Sequence, residues 1–187
     1  SSSGPAYNYA VSNFPGFVKE VRKQSFLYRR INALGRVPEK ISGHIAIFGG
    51  GIVGANIAEA LSRHTKTVVI DSDPEVVCAF MQKGINTVYG SVDNEQAWQK
   101  ANVEKAKLVV IAVPSAKASL PLIRKLKKSH PQQKIFARAH YFHDALALYE
   151  AGVDAVIMPH VIGSNIFVKK IVEYLDTGKV EEFSEGY

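Results

Sequence analysis

The stretch HIAIFGGGIVG, His44 to Gly54, is a short apolar run that breaks into three consecutive glycines and then a fourth. Glycine loses more conformational freedom on ordering than any other residue, so a strand that ends this way must let something come close to its backbone. Gly49, Gly51 and Gly54 satisfy G-x-G-x-x-G, and Asp71 stands 20 residues after Gly51. The pattern alone is weak evidence. Here it follows a predicted strand and opens a predicted helix, and Asp71 ends the next strand, which is the context that gives it meaning. In that context the first glycine permits the tight turn, the second lets a pyrophosphate reach the main chain, and the third lets helix and strand pack closely. Amides around Ile52 and Val53 would donate to phosphate oxygens with the helix dipole behind them. Asp71 would accept hydrogen bonds from ribose hydroxyls. Ser72 rather than Arg or Lys follows Asp71, so a 2′-phosphate has no evident partner and NADPH is disfavoured. The opposing reading is a glycine turn kept for packing in a domain that binds nothing.

Outward from this loop the pattern alternates. Strands are predicted over 44–48, 67–71, 86–89, 107–112, 134–138 and 154–158, and helices over 52–63, 74–83, 94–101, 116–129, 141–150 and 161–176. Pro74 sits where a first helical position belongs, with Asp73 as its cap. Strands rich in Val and Ile and separated by helices predict a parallel sheet buried on both faces. The fold class is therefore α/β: a Rossmann-like, doubly wound, parallel six-stranded sheet.

The chain has 187 residues, enough for one domain with a sizeable core, and its 47% hydrophobic share is ordinary for a globular protein. One cysteine, Cys78, cannot form an internal disulfide and fits a reducing compartment. No apolar run approaches the ~20 residues of a membrane helix, and no secretory signal opens the chain, so a soluble, cytosolic domain is expected. The net charge of +6 lies mostly in residues 1–43, where seven basic residues stand against two acidic ones. Within that block, 17–35 places Phe17, Val21, Phe26, Leu27, Ile31 and Leu34 at roughly helical spacing among Lys and Arg, and stops at Gly35. A basic amphipathic helix is expected there. The organisation read from the chain is a linker with this helix over 1–43, a nucleotide-binding domain over 44–160, and a final helix with its tail over 161–187.

Visible reaction chemistry is missing. About 30 residues follow the sixth strand, too few for a separate substrate domain. His140, His143 and His160 have no carboxylate or cysteine arrangement to complete a metal site. Cys78 reads as core. Asp144 and Glu150 are six apart on one predicted helix, a poor spacing for an acid/base pair. The expectation is a binding domain and no enzyme. The rivals are a fragment of a soluble NAD-dependent oxidoreductase and a DNA-binding redox sensor using the basic N-terminus; no helix-turn-helix pattern supports the latter, and no nucleic-acid partner is expected.

The segments GHIAIFGGGIVGANIAEAL, VVIDSDPEVV, GINTVYGSVDN, AKLVVIAVP and IFARAHYFHDALALYEAGVDAVIMP resemble the RCK domain, also called KTN or the TrkA N-terminal domain. The wording is most similar to the C-terminal domains of Kef-type cation:proton antiporters. The resemblance implies a cytosolic nucleotide-sensing domain of a potassium channel, a Trk/Ktr transporter or a Kef-type antiporter, at the cytoplasmic face of the cell membrane. It also implies a covalently attached or associated membrane transport domain, with the basic helix as juxtamembrane connector. Carried over by position, the nucleotide site would comprise Gly49, Gly51, Ile52, Val53, Gly54, Asp71, Ser72, Ser91, Val92, Ala112, Val113 and Arg138. Glu150 matches an acid that some members place near phosphates or a metal ion. Two departures bear on the ligand. Ile52 stands where many members have Arg, and Gly90-Ser91-Val92 stands where many have Gly-Asp-Ala/Ser. Together they favour AMP or NAD(H) over ATP or ADP. The resemblance further implies a homodimer through the C-terminal helix crossing to its partner. That helix carries too many apolar residues for one stripe; capping its own sheet is the alternative.

Overall fold

A computed structural model describes Val37 and residues 41–179; the expected basic helix over 17–35 lies outside the described residues. Six strands form one sheet: β1 (Ile45–Phe48), β2 (Thr67–Asp71), β3 (Asn86–Tyr89), β4 (Leu108–Ile111), β5 (Lys134–Arg138) and β6 (Ala155–Ile157). Helices α1 (Ile52–Ser62), α2 (Pro74–Gln82), α3 (Glu95–Lys100), α4 (Ala116–Ser129), α5 (Phe142–Glu150) and α6 (Pro159–Thr177) alternate with or follow them. A single 3-10 turn, Val103–Lys105, precedes β4. The sheet order is β3-β2-β1-β4-β5-β6, with every pairing parallel. This is the doubly wound order read from the alternation.

Local chemistry accounts for the helix boundaries. Asp73 accepts from the Glu75 amide at 2.8 Å and caps α2, with Pro74 at the first position. Asn94 accepts from the Gln96 and Ala97 amides and caps α3. The last helix begins two residues earlier than its apolar pattern indicated, because Pro159 supplies its first turn, where a missing N–H costs nothing.

Alternate residues of the central strands feed two cores. Ala46, Phe48, Val109, Ile111, Ile135 and Ala137 face α3, α4 and α5. Ile45, Ile47, Val69 and Val110 face α1 and α2. At the foot of the sheet Asp154 ties three elements together. It accepts from Lys127 of α4 at 2.9 Å, from Lys134 of β5 at 2.8 Å, and from the Ile135 amide at 3.0 Å. Partial burial pushes its carboxyl pKa up, but these two cations and the amide outweigh it and hold the group well below the usual carboxylate range.

His44, which opens the decisive stretch, is fully buried, and its Nε2 lies 2.9 Å from the Ala101 carbonyl. Burial lowers its pKa below the usual 6.5 and outweighs the opposing hydrogen bond. Above pH 6.5 the ring is neutral in both folded and unfolded chains, so it adds no pH dependence. As pH falls below 6.5 the unfolded ring takes a proton that the folded one refuses. Stability then drops by at most about 1.4 kcal/mol per pH unit until the folded pKa is reached. The melting midpoint should therefore fall by a few degrees between pH 7 and pH 5. His44→Gln keeps a donor for the carbonyl and should flatten that slope in thermal melts; an unchanged slope would assign the acid sensitivity to other groups.

Candidate functional site

The switch in winding direction falls between β1 and β4, where α1 leaves to one face and α4 to the other. A crevice at the carboxyl ends of the strands is the expected ligand site in such a sheet. The register aligns Phe48 with both Ile70 and Ile111, and Ile111 with Ala137. The loops that follow these strands therefore converge on one rim.

The four glycines have separate tasks. Gly49 has φ +95°, and a Cβ there would lie 3.0 Å from Val113. A Cβ on Gly54 would lie 1.7 Å from the Gly49 carbonyl oxygen, which is how closely α1 and the turn pack. Gly50, which the motif leaves unspecified, is needed too: its Cβ would strike Val76 and Phe80 of α2 at 2.5 and 2.7 Å. Gly51 differs. A Cβ there would meet nothing within 4 Å, and its φ of −65° is open to any residue. The protein's own packing explains three of the glycines and leaves the fourth unexplained.

Gly51 is also the N-cap of α1, and it supplies no capping side chain; the first turn contains no acidic residue. The opening amides of a helix have no intrahelical acceptor, so those of Ile52 and Val53 remain available to an external anion. Asp71 is placed by the main chain. Its Oδ2 accepts from the Gly50 amide at 2.6 Å and its Oδ1 from the Asp73 amide at 2.7 Å. The carboxylate thus stiffens the glycine loop, and each oxygen keeps a lone pair for another donor.

The remaining residues expected at the site divide. Ala112 lines the crevice beneath α1, and Val113 touches the turn at Gly49. Ser72 is exposed beside Asp71, and Ser91 donates to Asp93. Val92 stands apart from these. Its side chain is 6% exposed and belongs to the core, and its carbonyl accepts from Trp98 Nε1 at 2.8 Å. The side chain is unavailable to a ligand because the turn after β3 points it inward. Arg138 ends β5 and is half-buried, and its Nε has no hydrogen-bond partner.

Arg138 lines a cleft of ≈ 370 Å³ together with Val53, Leu61, Phe136, Ile157 and Pro159. Apart from the guanidinium its lining is apolar. The cleft exists because α1 and α2 cover the β1–β3 half of this face, and no described element covers β4–β6; Phe136 and Ile157 are left 42% and 46% exposed. The last helix does not fill it. None of the residues of α6 is buried, and Ile162, Ile166, Phe167, Ile171 and Leu175 are all exposed. The cleft was missed in the sequence, since Phe136 and Ile157 read there as ordinary buried strand residues. His140 and His160 do meet, ring centroids 4.2 Å apart, but no group of three or more metal-ligating side chains occurs among the described residues. Cys78 is half-buried. No helix among the described residues is long and apolar enough to cross a membrane.

Known proteins are similar to this chain in sequence and in fold. The putative cation/proton antiporter YbaL of Escherichia coli (strain K12) is 26% identical over 168 residues, 89% of this chain and 29% of its own length. The crystal structure of the TrkA-N domain of that inner membrane protein matches with a TM-score of 0.63 at 27% identity, covering 73% of this chain and 98% of that one. A Shewanella denitrificans Kef C-terminal domain in AMP-bound form matches at 0.58 and 21% identity, over 69% of this chain and 80% of that one. The GsuK channel bound to NAD matches at 0.58 and 18%, over 84% of this chain and 31% of that one. The chain thus spans under a third of the length of YbaL. The TrkA-N domain family matches residues 45–159, all of the described sheet and all of the glycine loop, and the chain belongs to that family.

Proposed function

We propose that this chain is the nucleotide-binding regulatory domain of a membrane transporter for potassium or another monovalent cation, of the Kef-type cation:proton antiporter kind. It would act at the cytoplasmic face of the membrane, joined to or associated with the transport domain. The observation that carries the reading is Gly51, whose missing side chain serves no internal contact and lies between a bare helix N-terminus and the Asp71 carboxylate. A phosphate seated on the Ile52 and Val53 amides, with its ribose toward Asp71, fits that space. Arg138, unpaired at Nε and lining one cleft with Val53, would supply a counter-charge. Ile52, 85% exposed, offers no cation for a terminal phosphate, which supports AMP or NAD(H) over ATP or ADP. An AMP-bound Kef domain and GsuK channels bound to NAD and to ADP are relatives in fold, which supports a nucleotide ligand without choosing among the three.

The regulation would act through a homodimer. The bare β4–β6 cleft and α6, none of whose residues is buried, offer apolar surfaces that could cover one another, and α6 of a second copy suits the cleft. A nucleotide that touches Val53 and Arg138 sits at the end of that cleft, so occupancy would bias the dimer's arrangement. A coupling of ~1–3 kcal/mol is enough to shift such an equilibrium. A potassium-channel or Trk/Ktr subunit is the second reading, favoured by the likeness to GsuK.

Calorimetric titration of the chain, stripped of copurified ligand, with AMP, ADP, ATP, NAD⁺ and NADH tests the ligand assignment. Saturable binding of AMP or of NAD(H), with weaker ADP and ATP, is expected. A folded protein that binds none of the five would make the glycine turn architectural.

A further inference from the structure

On the side of the sheet opposite α1 and α2, a groove of ≈ 270 Å³ runs between α3, the 3-10 turn and α4. Its apolar walls include Trp98 and Leu122, both in the first core, and its rim carries the Glu95 and Glu104 carboxylates. Lys125 reaches across it, 2.8 Å from Glu95 and 5.4 Å from the centre of the Trp98 ring. The volume lies below the roughly 300–1,000 Å³ of small-molecule pockets and suits inserted side chains.

The start of the described chain runs along this groove. Asn102, in the groove wall, takes the left-handed conformation with φ 52° and donates from Nδ2 to the Ile41 carbonyl at 2.8 Å. The Gly43 amide donates to the Lys105 carbonyl at 2.8 Å, at the end of the same turn. Ile41 is 4% exposed within the core that forms the groove walls, and Val37 packs against that core. The chain is therefore fastened to the groove wall at Ile41 and Gly43.

We propose that the groove is the docking site, within the same chain, of segment 26–36, FLYRRINALGR. Three arguments select this occupant. Ile31 and Leu34 supply apolar side chains for the part of the wall formed by Trp98, Val103, Leu122 and Leu126. Arg29, Arg30 and Arg36 complement a rim whose two carboxylates outnumber its one lysine. Leu34 is seven residues from Ile41, at most about 25 Å of extended chain, so the segment is tethered at high effective concentration beside the groove. Docking would fasten the basic connector to α4, whose first turn follows directly on Val113 at the glycine turn. It is expected with or without a nucleotide.

The test uses the full chain with Cys78→Ser, carrying Ile31→Cys and Gln99→Cys, against a control pair of Ile31→Cys and Lys117→Cys at the far end of α4. Under mild oxidation the groove pair should form a disulfide within one chain about tenfold faster than the control. Adding Glu95→Lys and Glu104→Lys should slow it to the control rate while the melting midpoint holds, since both residues are exposed. Hydrogen exchange read by mass spectrometry should show amide protection over 26–36 in the native chain, lost in the charge-reversed one. A groove pair no faster than the control overturns the proposal. So does a disulfide formed only between chains, which would put a second copy's segment in the groove, and so does crosslinking indifferent to the charge reversal, which would reduce docking to tether length.

Discussion

Gly51→Val is expected to abolish nucleotide binding and leave the fold intact. The added side chain enters space that no protein atom occupies within 4 Å of the Cβ, and the backbone there needs no left-handed angle. The melting midpoint should fall by only a few degrees, since Val is a poorer N-cap than Gly by about 1 kcal/mol or less. Affinity should fall at least about 100-fold, equivalent to ~2.7 kcal/mol, because the branched side chain would stand where a phosphate must approach the Ile52 and Val53 amides. Gly54→Ala is the contrast. Its methyl would lie 1.7 Å from the Gly49 oxygen, so it should lose binding by disrupting the turn and lower the midpoint markedly. Asp71→Ala is a poorer probe than the motif suggests, since it strands the Gly50 and Asp73 amides as well as any ribose. Native affinity in a folded Gly51→Val protein would remove the pocket from the glycine loop.

Phe167→Glu with Ile171→Glu should convert a dimer into monomers. The two positions are one helical turn apart on α6 and are 69% and 45% exposed in the single chain, so the substitutions cost the monomer little. In a dimer they would be buried. An apolar interface of ~600 Å² contributes on the order of 15 kcal/mol before association costs. Two unpaired carboxylates forced into it would each forfeit several kcal/mol. The dissociation constant should rise by at least about 1,000-fold, or ~4 kcal/mol, and light scattering on an eluting peak should read half the native mass. An unchanged mass would refute the crossing helix. A native protein already monomeric at high concentration would refute it too.

These two outcomes rest on different kinds of information. Strand and helix positions were legible in the sequence because each element carries its own local cause: continuous runs of Val and Ile in β2 and β4, Asp73 and Pro74 at the start of α2, and glycines at the end of β1. The doubly wound class of the sheet followed from handedness and short connections, and the structure supplied the strand order. The 3-10 turn at Val103–Lys105 was not legible, since three residues offer no periodicity. Within the site, the sequence identified Gly49, Gly51, Gly54 and Asp71, whose spacing is the motif itself. It could not distinguish the glycine left open from those needed for packing, because Val76, Phe80 and Val113 come from other elements.

It also could not predict that Val92 points inward, since one residue after a turn decides the facing of the next. Nor could it reveal the bare face over β4–β6. Phe136 and Ile157 have the composition of buried strand residues, and whether a helix covers them depends on where α6 goes after Pro159. By itself, then, the sequence determined the α/β alternation, the helix caps and the glycine motif, because each is written in residues adjacent along the chain. Only the tertiary structure decided which glycine is free for a ligand, which side chain is lost to the core, and which apolar surface is left uncovered. Those are properties of distances between residues far apart in sequence, and packing alone determines them.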